Sequence, residues 1–517
     1  MAELLIVVIL AFPVLILSWI WSVVYSIWWK PMKLERNLRE QGLKGPPHRL
    51  LSGNLKDELR MRKEAWSRPM NLSHNIVPRV VPFTHQTIKT YGKMSVTWFG
   101  RTPRVNIMHP ELIKDILSNK FGHFEKPKLN QLIKLLANGL ANYEGEKWAK
   151  HRRIINPAFH IEKLKRMLPA FYTSCSETIT RWEKLVALKG CCELDVWPEF
   201  QNLTGDVISR TAFGSSYDEG RRIFQLQNEQ AKLVVQAALS IYIPGYSLLP
   251  TKRNNRMKEI DREVRGLLRG IINKREKAIK LGEASQNDLL GLLLESNFKE
   301  IQEHDNAKNL GMNIDDVIEE CKLFYFAGQE TTANLLVWTM VVLSMHPEWQ
   351  IRSREEVLQA FGKDKPDFDG LNHLKVVTMI LYEVLRLYPP AVILTRHTYK
   401  KIKLGGIYLP PGVELLLPTI LIHHSRELWG EDAQEFKPER FSSGVSKATK
   451  NQVSFFPFGW GPRICIGQNF AMTEAKMALA LILQQFSFEL SPSYAHAPYT
   501  IITLQPQYGA QIILHKL

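Results

Sequence analysis

Residues 4–29 form a run of 26 without a charged side chain. So much continuous apolar surface cannot face water; it is buried in protein or in lipid. As a helix the run reaches roughly 39 Å, enough to cross a hydrocarbon core of about 30 Å with some tilt. Trp19, Trp21, Tyr25, Trp28 and Trp29 crowd its C-terminal half, where an interfacial aromatic belt lies. A cleaved signal peptide is the alternative. Against it, the run exceeds an ordinary signal core, no basic segment precedes it and no small-residue cleavage site follows. Lys30, Lys33, Arg36, Arg39 and Lys44 follow instead, against Glu35 and Glu40. The positive-inside rule then puts the N-terminus in the lumen and the remaining chain in the cytosol. The expected organisation is a membrane anchor at 1–29, a basic linker with the breaker Lys44-Gly45-Pro46-Pro47 at 30–60, and one large domain at 61–517. In that topology the sequon Asn71-Leu72-Ser73 stays unglycosylated.

The 517 residues carry 67 Lys and Arg against 51 Asp and Glu, an excess of +16. A basic surface suits nucleic acid, anionic lipid or an acidic protein. No nucleic-acid motif accompanies the basic clusters, so lipid headgroups and an acidic partner are the better readings. The five cysteines, Cys175, Cys191, Cys192, Cys321 and Cys465, make no disulfide framework and fit a reducing compartment. Apolar positions recur at three- and four-residue spacing over 164–188, 221–240, 256–281 and 313–345, which predicts long helices. Alternation around Gly100-Arg101-Thr102-Pro103 predicts a hairpin over 94–108, and strand signals return at 392–404, 413–417 and 501–514. The fold class is mainly α with small peripheral sheets.

Phe458-Gly459-Trp460-Gly461-Pro462-Arg463-Ile464-Cys465-Ile466-Gly467 places three glycines and a proline in ten residues, a loop of unusual backbone angles. A helical pattern follows at 471–485, so the Cys465 thiol precedes a helix. Backbone N–H groups and the positive helix end stabilise a thiolate there, and Arg463 adds a cation. No second Cys or His lies at zinc-ligand spacing, and C-x-x-C-H is absent. A thiolate in this setting suits an iron centre's axial position.

The pattern F-x-x-G-x-R-x-C-x-G resembles the haem-binding loop of the cytochrome P450 family. Further matches follow in family order: Trp148-Ala149-Lys150-His151-Arg152, Ala327-Gly328-Gln329-Glu330-Thr331-Thr332, Glu383-Val384-Leu385-Arg386 and Pro438-Glu439-Arg440-Phe441. The resemblance implies a cytochrome P450 fold and haem b with Cys465 as its iron ligand. It also implies haem contacts from Phe458, Trp148, Arg152, Arg463 and Arg396, the last four toward the propionates. Thr331 would order oxygen and the protons delivered to it, with Glu330 in the relay. Glu383, Arg386 and Arg440 would form a structural network. Gly328 is expected to open the helix locally, and a hydroxyl bonding back to the i−4 carbonyl would bend it.

The implied activity is a monooxygenase: a substrate C–H, O₂, two electrons and two protons give an alcohol and water. Electrons would come from NADPH through NADPH–cytochrome P450 reductase. The expected setting is the endoplasmic reticulum membrane, with a monomeric protein. The stretches 318–326 and 456–463 resemble the plant subfamily that contains secologanin synthase, whose members oxidise iridoids, triterpenoids and gibberellins. A lipophilic terpenoid is therefore the expected substrate. By the same resemblance its contacts come from 129–140, 231–249, Phe324, Tyr325, 391–394 and 501–504. The competing readings are a haem-thiolate enzyme that rearranges hydroperoxides and a non-catalytic, membrane-tethered lipid- or haem-binding protein.

Overall fold

Helical periodicity becomes helix through most of the body. The structure is a computed structural model describing residues 2–119, 122–187, 190–215, 217–240, 249–282, 288–302, 311–449 and 453–517. The helices that build the site are α1 (Gly145–Ile155), α2 (Ile161–Ala187), α3 (Val196–Phe213), α4 (Tyr217–Ala238), α5 (Lys252–Lys280), α6 (Ile314–Met345), α7 (Lys375–Leu387) and α8 (Gln468–Gln485). Each of the four expected long helices is found within about one turn of its expected ends; residue 188 lies outside the described residues.

The longest of them, α6, crosses the centre of the fold. Asn313 caps it by accepting the Asp316 N–H at 2.8 Å, and Asp315 and Asp316 put negative charge beside its positive end. Nearly every residue from Thr332 to Leu343 is fully buried. The expected opening at Gly328 is not there: α6 is α-helical from end to end. Gly328 instead permits a close approach, because a Cβ there would stand 2.6 Å from Ile208 Cγ1 on α3.

A smaller sheet forms a second core. The predicted hairpin is β1 (Met94–Phe99) with β2 (Thr102–Ile107), Met94 opposite Ile107. With β3 (Phe124–Glu125), β4 (Leu394–Thr398) and β5 (Glu414–Leu417) it gives the order β1-β2-β5-β4-β3. Val96, Trp98, Val105, Ile107, Leu415 and Leu417 form its apolar cluster, joined by Leu38 and Leu43. The 30–60 segment is thus held against the sheet. The Val96 N–H donates to the Lys44 carbonyl at 2.8 Å, and a Cβ on Gly45 would lie 1.8 Å from the Val96 oxygen. Only glycine fits that edge.

Upstream, Ala2–Val24 is α-helical, Tyr25–Trp29 is a π-helical turn, and Lys30–Glu40 continues the helix. Among the described residues one segment, Phe12–Glu40, is long and apolar enough to cross a membrane. Trp19, Trp21, Trp28 and Trp29 lie exposed along it.

Candidate haem-thiolate site

The cysteine loop is shaped by its glycines. Gly459 and Gly461 hold φ of +76° and +71°, and a Cβ on Gly461 would lie 2.6 Å from the Leu117 oxygen. The Cys465 N–H donates to the Phe458 carbonyl at 2.8 Å, closing the loop. Gly467 then starts α8 and directs its N–H at the thiol. The expected backbone amide is therefore in place, but the cation beside the thiol is Arg152 and not the expected Arg463, whose guanidinium is drawn away to Glu144. Burial outweighs them and pushes the Cys465 thiol up. A metal cation at sulfur is what overturns such a balance.

Cys465 is enclosed by protein yet accessible to a water-sized sphere. Thr331 is likewise accessible, although Glu330 and Thr332 on either side are buried. Both side chains therefore open onto interior space. The loop and α6 meet through one ring: a Cβ on Gly467 would lie 4.0 Å from both Cys465 Sγ and Phe159, and Phe159 stacks on Phe324 of α6 at 5.5 Å.

Cations gather at one side of the loop. A cavity of about 300 Å³ is lined by Glu144, Trp148, Arg396 and Arg463, among others. The Arg463 guanidinium pairs with Glu144, lies 4.1 Å over the Trp148 ring, and leaves its Nη1 buried without a partner. Arg396 donates to its neighbour's carbonyl, Thr395 O, at 2.8 Å. Burial, then Arg463, pushes Arg396 down to about 10. Lys126, donating to the Ala141 carbonyl, is pushed down to about 7 by burial, then by Arg396 and Arg463. Two guanidiniums thus line the cavity with Glu144 and Glu125, and the Lys126 amine lies near them. Such a cluster calls for further anions. The unpartnered Arg463 Nη1 and the Arg396 guanidinium suit carboxylates such as the two propionates of haem b. Arg152 is placed differently from Arg396 and Arg463: its Nη1 donates to the Ile464 carbonyl at 2.9 Å, beside the thiol.

On α6, Thr331 Oγ1 donates to the Ala327 carbonyl at 2.8 Å, the expected i−4 back-bond. The Glu330 carboxylate points elsewhere. It accepts from Thr503 Oγ1 at 2.6 Å and from Gln505 Nε2. Burial pushes its pKa up, against those two hydrogen bonds. Adjacent helical side chains diverge by about 100°, so the structure ties Glu330 to the C-terminal tail and leaves Thr331 facing the interior.

Behind the loop, Glu383 and Arg386 are wholly buried and form a bidentate pair at 2.7 Å. Arg386 also donates to the carbonyls of His423 and Ala433 at 2.7 and 2.6 Å. Arg440 stands 3.4 Å from Glu383. The His423 ring continues the network to the loop, its Nε2 accepting the Phe456 N–H at 3.1 Å.

Comparison with known proteins decides the family. The family model for cytochrome P450 matches residues 77–512.

The chain belongs to the cytochrome P450 family.

It is 66% identical over 492 residues to cytochrome P450 CYP72A616 of Paris polyphylla, covering 95% of both chains. It is 63% identical over 498 residues to cytochrome P450 CYP72A219 of Panax ginseng, covering 96% of each. Secologanin synthase 2 of Catharanthus roseus is 55% identical over 504 residues, covering 97% of this chain and 96% of that one. The cytochrome P450 is accordingly a haem-thiolate monooxygenase with haem b as its cofactor.

Sequence reasoning missed Lys126, Glu144 and His423, none of which sits in a motif. Two expected substrate contacts are packed as core. Tyr325 is fully buried and stacks on Phe213 at 4.1 Å; Phe324 is buried against Phe159. By contrast Leu132 and Leu136 meet Ala231 and Val234 in a separate apolar cluster beside Phe326, which joins two of the expected segments. Residues 241–248 of the expected 231–249 contact region lie outside the described residues.

Proposed function

We propose that this cytochrome P450 is a single-pass protein of the endoplasmic reticulum membrane that oxidises a lipophilic plant terpenoid, drawing electrons from NADPH–cytochrome P450 reductase. The observation that carries the chemistry is the pairing of two interior-facing side chains, Cys465 and Thr331, with a cation-rich cavity at the loop's flank. When bound, haem b supplies the iron that activates O₂ with two electrons. Cys465 would ligate that iron. Arg396, Arg463 and Lys126 would hold its propionates, with Trp148 keeping Arg463 in place, Arg152 securing the loop and Phe458 contributing a haem contact.

Thr331 holds and orients a proton donor in the interior space. Glu330, one residue away but tied to Thr503 and Gln505, would replenish that proton through intervening water and not by direct contact. The hydroxyl–carboxylate pair favours oxygen activation over hydroperoxide rearrangement. A terpenoid substrate is supported by the secologanin synthases among the relatives and by the apolar cluster of Leu132, Leu136, Ala231 and Val234. The protein works as a monomer in this reading.

Membranes carrying this chain and a plant reductase, fed iridoid, triterpenoid, gibberellin and fatty-acid substrates, test the proposal. A product that requires NADPH and O₂, formed from a terpenoid, is expected. Oxidation confined to fatty acids would refute the terpenoid assignment. Topology has its own test. Asn71 is exposed, so a luminal body would expose an acceptor. We expect no change in mobility on glycosidase treatment; a shift abolished by Asn71→Gln would reverse the topology.

A further inference from the structure

The stretch 318–326 matched a plant subfamily in sequence, yet the chemistry above uses none of its charges. The structure gives its acidic residues two different neighbours. Glu319, with Asp315, turns to α5: Arg265 pairs with both, and Lys322 reaches Asp261 at 2.5 Å. Glu320 turns the other way and is wholly buried. Its Oε1 lies 2.6 Å from His151 Nδ1 on α1, itself 1% exposed. Its Oε2 accepts the Leu140 N–H at 3.1 Å. One turn earlier, Asp316 accepts from Tyr143 at 3.3 Å and pairs with Lys147 at 2.7 Å.

The loop is built to receive this carboxylate. Gly139 has a φ of +59°, and a Cβ there would stand 2.7 Å from Glu320 Oε2. Both backbone angle and space therefore require glycine beside the acceptor. The segment before it packs Leu132 and Leu136 against Ala231 and Val234 of α4. Glu320 lies eleven residues, about three turns, before Thr331 on nearly the same stripe of α6. Two hydrogen bonds into one buried carboxylate thus connect the loop at 130–142, the helix bearing Trp148 and Arg152, and the helix bearing Thr331.

We infer that Glu320 is a positioning residue for substrate selection: through the Leu140 N–H and His151 it fixes the 130–142 loop on α6 and so sets the space available to large ligands. The selection role rests on the haem-thiolate reading; the clamp itself does not. A buried carboxylate stripped of its donors is costly, and donors stripped of their acceptor are left unsatisfied, so each part holds the others. Lys126 also holds the Ala141 carbonyl, but over 132–136 the main contacts, those of Leu132 and Leu136, are apolar and non-directional. Removing Glu320 frees the loop to move while leaving Cys465, Arg396 and Arg463 in place.

The test uses the full-length holoprotein in detergent and has two arms. Hydrogen exchange of peptides covering 132–142 is measured in wild type, Glu320→Ala, Glu320→Gln, Gly139→Ala and Arg265→Ala. Exchange at least about tenfold faster is expected for Glu320→Ala and Gly139→Ala, and an intermediate rate for Glu320→Gln, whose single acceptor oxygen can serve one of the two donors. Arg265→Ala loosens the opposite side of α6 and should leave the segment unchanged. In the second arm, imidazole and 1-dodecylimidazole are titrated onto the ferric protein by difference spectroscopy. Imidazole affinity should stay within about twofold of wild type, while dodecylimidazole weakens at least about fivefold. Unchanged exchange in Glu320→Ala and Gly139→Ala overturns the clamp. Faster exchange with both azoles within about twofold of wild type overturns the selection role. If Glu320→Ala does not fold, Glu320→Gln and Gly139→Ala decide. A wild-type protein without thiolate-ligated haem would fail the functional reading, and the exchange arm would still decide the clamp.

Discussion

At Thr331 the hydroxyl hydrogen is committed to the Ala327 carbonyl at 2.8 Å, which leaves the oxygen's lone pairs toward the interior. An incoming donor can therefore be held there without breaking the back-bond to the helix. Thr331→Ala should keep the haem spectrum and NADPH oxidation while product per NADPH falls at least about tenfold, consistent with the loss of a positioned proton donor. Fully coupled turnover in that variant would remove Thr331 from the mechanism. Cys465, Thr331, Glu383 and Arg386 were legible in the sequence because their signals are local: a loop of glycines, or charges three apart on one helix face. Glu144 and Lys126 were not, since Glu144 meets Arg463 across 319 residues of chain and neither lies in a motif. Glu330 was legible as a residue but not as a geometry. Its ties to Thr503 and Gln505 depend on where the tail folds.

Element by element, periodicity found the long helices and the hairpin, because both are written in the spacing of apolar side chains. The same reasoning misjudged Gly328, whose role comes from a neighbour 120 residues away in sequence, Ile208. In isolation Gly328→Ala would favour the helix by up to about 1 kcal/mol. Against Ile208 at 2.6 Å it overpacks the α3–α6 contact, at a cost of about 1–3 kcal/mol. The second effect wins, so a lower denaturant midpoint is expected for Gly328→Ala, partly restored by adding Ile208→Val. A midpoint at or above wild type would show that the two helices separate freely. The breakers and charges of the 30–60 segment predict a linker. Its docking depends on Leu38, Leu43 and the bare Cα of Gly45 against Val96, which only the sheet's position explains.

For the whole molecule, an apolar N-terminal helix is followed by a helical body whose central helix and cysteine loop enclose an interior space. The basic excess of +16 finds part of its use inside, at Lys126, Arg396 and Arg463. All of this serves one central claim, that Cys465 ligates the iron of a bound haem. The direct measurement is the absorption spectrum of the reduced, carbon monoxide-treated protein, wild type beside Cys465→Ala and Cys465→His. Wild type should show the long-wavelength Soret band of a thiolate-ligated complex. Cys465→Ala should lack it, and Cys465→His should shift it to the shorter wavelength of an imidazole ligand. The thiolate band persisting in Cys465→Ala would contradict the account.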